Sequence, residues 1–189
     1  MSIGYACLAL GVYHSNYRTF RLDKYNEDKL KELIVYNLES LNRIIDYNIE
    51  NEINLFRISS DLIPFGSSSI NQLKWWDIFQ KEFQIIGSKI KKHNIKVSMH
   101  PGQYTVLNSP KKDVVKRSID DLIYHTLVLD CLQVDHTCKV VVHIGGVYGD
   151  KKVSMNRFIQ NFHELPLAVK RRLIIENDDR NYNIEDVLH

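Results

Sequence analysis

The chain lacks several features that would assign it to a protein class at once. No apolar run in its 189 residues reaches the ~18 residues that a membrane span needs. The first ten residues, MSIGYACLAL, contain no basic region and are too short for a signal peptide, so we expect no secretory leader and a cytoplasmic protein. No GxGxxG or P-loop motif follows the first apolar run, which argues against a nucleotide-binding sheet.

Neither the pattern of cysteines nor the net charge identifies a binding partner. The three cysteines form no CxxC pair and suit a reducing compartment better than a disulfide framework: Cys7, Cys131 and Cys138. The formal net charge is only +2, so composition alone does not indicate nucleic acid. Basic residues do cluster near positions 89–96, 111–117 and 170–172. Such runs are typical of solvated helix faces and permit a polyanionic partner without requiring one.

The overall composition is that of a globular domain with a hydrophobic core. Hydrophobic residues make up 44% of the chain, charged residues 25% and aromatic residues 10%. No linker, low-complexity tract or second domain interrupts the sequence, so we predict a single domain over residues 1–189.

Short apolar runs rich in Ile, Val and Leu predict buried parallel strands, covered on both faces. They lie at residues 4–10, 54–59, 95–99, 139–143 and 173–176. Helix-period stripes fill the intervals between them, and they span residues 30–45, 79–90, 115–129 and 155–162. After the last run, Asn183 followed by acidic residues predicts a helix N-cap.

This alternation predicts an α/β fold with parallel pairing and right-handed crossovers. An open doubly wound sheet and a (β/α)8 barrel would both satisfy it. A closed barrel needs eight strands in typically ~250 residues. If the fold is a barrel, we therefore expect the chain to end near its fifth crossover helix.

Metal-competent side chains follow three neighbouring predicted strands. The third run ends at His100, the fourth at His143 and the fifth at Glu176. The carboxyl ends of parallel strands meet at one rim, where active sites form in such folds. Imidazole and carboxylate are ligands for Zn, Mn or Fe, so the sequence predicts a metal site at this rim.

The loop after His100 carries two further candidates. Gln103 and Tyr104 offer an amide and a stacking ring, which suit contact with a base, although packing within the loop is an equal alternative. Tyr5 on the first strand could face the core or the rim. Arg57, a charge within an apolar run, could pair with a buried carboxylate or hold an anion near the rim.

Four stretches of the chain form a specific combination: FRISSDLIPFG (56–66), SMHPGQYTVLNSP (98–110), VVHIGGVYGDK (141–151) and IIENDDRNY (174–182). In these stretches, their order and their spacing, the chain resembles the UV damage endonuclease family. The resemblance runs through essentially all of its 189 residues. It implies a TIM-type barrel of the xylose-isomerase-like superfamily, here truncated to about five β/α units.

The resemblance also implies a function. Members of that family are metal-dependent DNA repair endonucleases that incise the backbone immediately 5′ of UV photolesions, leaving a 3′-hydroxyl and a 5′-phosphate, as in nucleotide excision. The implied cofactor is Mn²⁺, with Zn²⁺ or Mg²⁺ as alternatives. The implied partner is damaged double-stranded DNA, and the protein would be associated with the nucleoid when acting on it.

Residue roles follow from the resemblance by position. The catalytic metal ligands of the family fall on His100, His143 and Glu176. Its lesion-contacting residues fall on Gln103, Tyr104 and Tyr5.

The chain departs from the family in two respects. Ser68 stands where the family has a histidine, and serine is a poor ligand, so we expect one metal subsite to be weakened or rebuilt. The later strands of the family carry further ligands, and their absence here predicts exposed sheet edges and self-association of a partial barrel.

Two other functions stay open. A metal-dependent sugar isomerase or epimerase of the same superfamily would use the same His and Glu ligands. A non-catalytic DNA-binding remnant would explain Ser68 and the small number of strands.

Overall fold

The computed structural model describes residues 3–178 and 180–188, so Asp179 of the ENDD motif and His189 lie outside the described residues. Within this part of the chain, all strands join one parallel sheet in sequence order. They are β1 (Gly4–Ala6), β2 (Leu55–Ile58), β3 (Lys96–Met99), β4 (Val140–Val142) and β5 (Leu173–Ile175). Because each new strand joins on the same side without reversal, the winding is that of a barrel and not of a doubly wound sheet.

Helices occupy every interval between the strands of the described chain. They are α1 (Glu27–Glu50), α2 (Trp75–Ile78), α3 (Gln80–Lys92), α4 (Lys112–Cys131), α5 (Lys151–His163), α6 (Leu167–Arg172) and α7 (Ile184–Leu188), with 3₁₀ turns at Leu22–Lys24 and Ser60–Leu62. The four predicted stripes lie on α1, α3, α4 and α5. The short α6, directly before β5, is not predicted from the sequence.

Side-chain caps fix where several helices begin. Asn26 accepts a hydrogen bond from the backbone N–H of Lys29 at the start of α1, and Asp150 caps α5 in the same way. The predicted cap before α7 is confirmed, since the Asn183 side chain accepts from the Asp186 N–H at 3.1 Å. The Asp186 carboxylate accepts from the Asn183 N–H in return, which forms a reciprocal capping box.

The two faces of the sheet differ in their surroundings. Phe56 and Ile58 of β2 are at most 1% exposed beneath the helices, whereas Arg57 between them alternates to the other face. We call that other face, which carries Leu55, Arg57 and Ile174, the inner face. Leu55 and Ile174 are each 42% exposed, so the prediction of strands covered on both faces is wrong for the described chain.

The first strand is shorter than predicted. Its run of apolar letters extends to residue 10, but β1 ends at Ala6 and Cys7 adopts a φ of 66°, which breaks the extended backbone. Beyond this turn Leu8 is 42% exposed and Leu10 is 95% exposed. These leucines therefore belong to a surface loop and not to a buried strand.

A buried guanidinium braces the starts of β4 and β5. Arg172, the last residue of α6, is 2% exposed and donates two hydrogen bonds to Asp130, at 2.9 and 2.6 Å. It also donates to the carbonyls of Val134, Asp135 and Cys138, which lie ahead of β4. The basic run at 170–172 is therefore only partly a solvated helix face.

Close helix packing depends on one glycine. A Cβ atom on Gly87 of α3 would lie 1.8 Å from the backbone carbonyl oxygen of Leu132, at the end of α4.

Among the described helices, none is both long and apolar enough to cross a membrane.

Candidate functional site

The predicted ligands lie together at the carboxyl end of the sheet. Because side chains alternate along a strand, His100 and Glu176, two residues beyond Ser98 and Ile174, point to the same inner face as those residues. The Nε2 atom of His100 lies 3.3 Å from Oε2 of Glu176, and the Nε2 atom of His143 lies 4.0 Å from the same oxygen. One candidate ligand atom from each of the three residues falls within 4.8 Å of the others.

Backbone carbonyls orient both imidazoles. Nδ1 of His100 lies 2.8 Å from the carbonyl oxygen of Pro101, and Nδ1 of His143 lies 3.1 Å from that of Glu176. A carbonyl can only accept, so each Nδ1 carries the ring proton and donates it. Each Nε2 is therefore left free to act as a ligand, at 3.3 and 4.0 Å from the Glu176 carboxylate oxygen.

This donor set fits a divalent cation. Two Nε2 lone pairs and a carboxylate oxygen are all acceptors, so their close approach is favourable only with a positive charge between them or a proton on a ring. An Nδ1–H bond to a carbonyl is also the usual outer support of a metal-bound histidine. His100, His143 and Glu176 could thus hold Mn²⁺, Zn²⁺ or a similar ion.

The loop after β3 displays the predicted probing pair at its tip. The Thr105 N–H donates to the Gly102 carbonyl at 2.9 Å, which closes a tight turn with Gln103 and Tyr104 at its two central positions. Tyr104 is 82% exposed and Gln103 is also exposed. Neither side chain makes a hydrogen bond to another described residue. We call residues 102–105 the probe turn.

The probe turn and the imidazole pair line one cleft of about 1030 Å³. The cleft lies at the carboxyl end of the sheet, where His100 and His143 line it. Its other lining side chains include three basic residues, Lys111, Arg117 and Arg180.

A buried contact joins the loops that follow β3, β4 and β5. The Asn108 side-chain amide donates to the Gly146 carbonyl at 2.7 Å, and the Tyr182 hydroxyl donates to the same oxygen at 3.3 Å. Asn108 and Tyr182 are at most 1% exposed. Gly145 permits this approach, since its φ is 112° and a Cβ there would lie 2.5 Å from the Asn108 side-chain oxygen. The contact holds the three ligand-bearing segments in a fixed relation.

Comparison with known proteins assigns the family. The sequence model of the family described as UV-endonuclease UvdE matches residues 1–189. The chain belongs to the UvdE family. A UV DNA damage endonuclease from Clostridium perfringens (strain 13 / Type A) is 47% identical over 188 residues, which are 100% of this chain and 46% of that protein. One from Bacillus cereus (strain Q1) is 38% identical over 162 residues, 86% of this chain and 51% of that protein.

A solved structure agrees with this assignment. The crystal structure of SacUVDE superposes with a TM-score of 0.93 at 38% identity, covering 100% of this chain and 64% of that one. The predicted α/β fold of the barrel type is thereby confirmed. The chain spans about half the length of the curated UvdE relatives that it matches.

Two residues that the UvdE resemblance singled out do not lie at the site. The Tyr5 hydroxyl donates to the Asn48 side chain of α1 at 2.6 Å, and its ring packs on Phe56 with centroids 5.1 Å apart. The Tyr5 ring therefore packs on the helix-covered face of the sheet, and its contact with a lesion stays a prediction. Ser68 is exposed, and its hydroxyl accepts from the Ile70 N–H within a turn, so it adds no ligand to the cluster.

Asp178 is a charged site residue that sequence reasoning missed. Its carboxylate accepts hydrogen bonds from the backbone N–H groups of Arg180, Asn181 and Tyr182. Burial alone would raise its pKa, but these N–H groups and the nearby His143 ring hold the pKa below its usual value. The signal for it was the position of Asp178 two residues after Glu176 in the ENDD motif.

Two further polar residues, His125 and Arg57, lie outside the ligand cluster. His125 of α4 is fully buried and its Nδ1 bonds to the Asp121 carbonyl at 2.7 Å, so it has a structural role within the helix. Arg57 lies half-buried on the inner face and has no carboxylate within 4.0 Å among the described residues.

Proposed function

We propose that this chain carries the metal-binding and lesion-probing part of a DNA repair endonuclease that acts on damaged double-stranded DNA. The proposed reaction is hydrolysis of the phosphodiester bond immediately 5′ of a UV photolesion, which leaves a 3′-hydroxyl and a 5′-phosphate. The observation that carries the proposal is the convergence of His100, His143 and Glu176, with both Nε2 atoms within 4.0 Å of one carboxylate oxygen.

The proposed cofactor is a divalent metal, Mn²⁺ in the first place, with Zn²⁺ or Mg²⁺ as alternatives. When bound, such an ion would supply an activated water and stabilise charge on the leaving oxygen. The carbonyls of Pro101 and Glu176 fix the histidine tautomers, so both rings present a lone pair without reorientation. Asp178, held ionised, adds negative charge beside His143 and strengthens attraction for a cation.

The cleft offers two kinds of contact for DNA. Lys111, Arg117 and Arg180 provide positive charge along its wall, which suits phosphate groups. Gln103 and Tyr104 at the tip of the probe turn offer an amide and a stacking face to bases. A photolesion weakens stacking and pairing, so displacing it costs less than displacing an intact base, and the exposed tip can occupy the gap.

Two finer expectations accompany this proposal. We propose a cytoplasmic protein that associates with the nucleoid when it acts on DNA. We also propose that the sheet of this chain can self-associate, because β1 and β5 each present an unpaired edge in the described structure.

The decisive experiment is nicking of supercoiled plasmid in the presence of Mn²⁺, with irradiated and unirradiated plasmid compared. The chain and the Clostridium perfringens relative are assayed in parallel, in separate reactions, and His143→Ala is the negative control. We expect nicks only in irradiated plasmid, with ends that a DNA ligase can join after the lesion is reversed. No nicking by either protein would refute the proposed function.

A non-catalytic DNA-binding role is the second candidate, and the position of Ser68 outside the cluster favours it. Nicking by the longer relative, together with lesion-selective binding but no nicking by this chain, would establish it. Turnover of a ketose sugar without nicking would instead support the isomerase alternative.

A further inference from the structure

Each of the four residues after the tip of the probe turn, 105–108, forms a hydrogen bond with a side chain of α4 or α5. The Thr105 hydroxyl donates to Asp121 of α4 at 2.6 Å, and the Val106 N–H donates to Ser118 of α4 at 2.9 Å. Farther along, two residues of α5 donate to the carbonyls of positions 107 and 108, at 2.7 and 2.8 Å. The stem of the loop is thus fixed at four consecutive residues.

The tip contrasts sharply with this stem. Gln103 and Tyr104 are exposed and make no hydrogen bond to another described residue, so their orientation depends on the backbone beneath them. The Thr105–Asp121 bond is the first side-chain restraint after the tip. A short bond from a hydroxyl to a carboxylate is about twice as strong as a neutral one, so this restraint is the strongest near the tip.

The surroundings of Asp121 keep its carboxylate available for this bond. The nearest ring that could compete for this carboxylate is His125. Its Nδ1 lies 3.7 Å from the Asp121 carboxylate and 2.7 Å from the Asp121 carbonyl oxygen. Burial lowers the pKa of His125, so the ring is neutral at pH 7 and its Nδ1–H belongs to the carbonyl. The Thr105 hydroxyl is therefore the principal donor to the Asp121 side chain.

We propose that Asp121 is a positioning residue which, through Thr105, holds the probe turn in one conformation before DNA arrives. This inference rests on the proposed function and specifies how the lesion is probed: the tip acts as a rigid wedge that does not fold onto DNA. Preorganisation of this kind lowers the ordering cost of binding and enlarges the difference between damaged and intact sites.

Two variants remove the restraint from opposite sides. Asp121→Ala deletes the acceptor, and Asp120→Ala is its matched control, because Asp120 is an exposed neighbour on the same helix. Thr105→Val deletes the donor at nearly constant shape, and Thr105→Ser restores a hydroxyl. If one of the Asp121 or Thr105 variants failed to fold, the other would still test the restraint.

The first measurement requires no DNA. Amide hydrogen exchange reports on the Thr105 and Val106 N–H groups, which close the turn and anchor the stem. We expect exchange at these amides to be about tenfold faster in Asp121→Ala and Thr105→Val, and unchanged in Asp120→Ala and Thr105→Ser. Unchanged exchange in both deletion variants would overturn the proposal whatever happens with DNA.

The second measurement compares the affinity of each variant for a duplex with a photolesion and for the same intact duplex, by fluorescence anisotropy. We expect the ratio of the two affinities to fall about tenfold in the deletion variants, with metal binding unchanged. Faster exchange with an unaltered ratio would overturn the positioning role. If the unaltered protein showed no preference for damage, the proposed function would fail, while the exchange result would still decide whether Asp121 fixes the turn.

Discussion

Replacing Arg172 with alanine should destabilise the fold more than any change at the neighbouring surface. The guanidinium is 2% exposed and makes five hydrogen bonds, two to the Asp130 carboxylate and three to backbone carbonyls. Truncation removes the charged donor and leaves these acceptors without it. Breaking a buried ion pair by removing one partner costs about 3–5 kcal/mol.

The exposure of Asp130 indicates that the loss of stability lies at the lower end of this range. Its side chain is 42% exposed and can regain water, so the stranded carboxylate costs less than a fully buried one. We therefore expect the free energy of unfolding to fall by about 3 kcal/mol. This is a large fraction of the ~5–15 kcal/mol typical of a domain. With a urea m-value of about 2 kcal/mol/M, the midpoint should fall by about 1.5 M.

Urea unfolding followed by circular dichroism measures this change, and Arg171→Ala is the matched control. Arg171 is exposed, so its replacement should alter stability by less than about 0.5 kcal/mol. Arg172→Lys should recover only part of the loss, because one ammonium cannot satisfy acceptors arranged for a planar fork. A decrease below about 1 kcal/mol for Arg172→Ala would refute the reasoning.

Three further predictions concern the site and the thiols. His143→Ala should weaken binding of Mn²⁺ about a hundredfold, measured by isothermal titration, because one of three ligands is lost. Gln103→Ala combined with Tyr104→Ala should leave metal binding intact, because these exposed side chains make no hydrogen bond to another described residue. It should reduce the preference for irradiated over intact DNA about tenfold, measured by anisotropy, because the stacking face is lost. Burial raises the pKa of the Cys131 thiol to about 12, so its thiolate fraction at pH 8, and its rate of alkylation by iodoacetamide, should be about a thousandfold lower in the folded than in the unfolded protein.

Each of these predictions has a control and a contradicting result. His136→Ala removes an exposed histidine from the loop before β4 and should leave metal binding unchanged, whereas equal metal content in His143→Ala would contradict the ligand assignment. If the preference for damaged DNA survived removal of the probe tip, Gln103 and Tyr104 would be ordinary loop residues. Mass spectrometry that found equal alkylation of Cys131 in folded and unfolded protein would contradict its raised pKa.

The convergence of the ligands could be predicted from sequence because it depends on strand ends. A histidine or glutamate directly after an apolar run must lie at the carboxyl end of that strand. His100, His143 and Glu176 satisfy this condition on adjacent strands, and parallel order then brings them to one rim. The prediction needed only the order of the strands and no knowledge of loops.

Features that depend on tertiary contacts could not be predicted in this way. Period-two geometry does not say which face of β1 the helices cover, and the Tyr5 ring packs on that face beside Asn48. The apolar letters after Ala6 predict a longer strand, but the turn at Cys7 places Leu8 and Leu10 in solvent.

Arg172 shows the same limit for charge. In sequence it is one of three consecutive basic residues, and only the fold reveals that the carbonyls of the α4–β4 connection surround it. Asp121 is similar, since nothing in the spacing between positions 105 and 121 predicts that a loop hydroxyl meets a helix carboxylate.

The two halves of the cleft are positioned by different parts of the fold. The candidate metal ligands lie at strand ends, whereas side chains of α4 and α5 hold the stem beneath Gln103 and Tyr104. Under the proposed function, we therefore expect that exchange of the two tip residues changes which lesions are bound and leaves the candidate metal ligands in place. A library that varies positions 103 and 104 together is the smallest set of variants that tests this expectation.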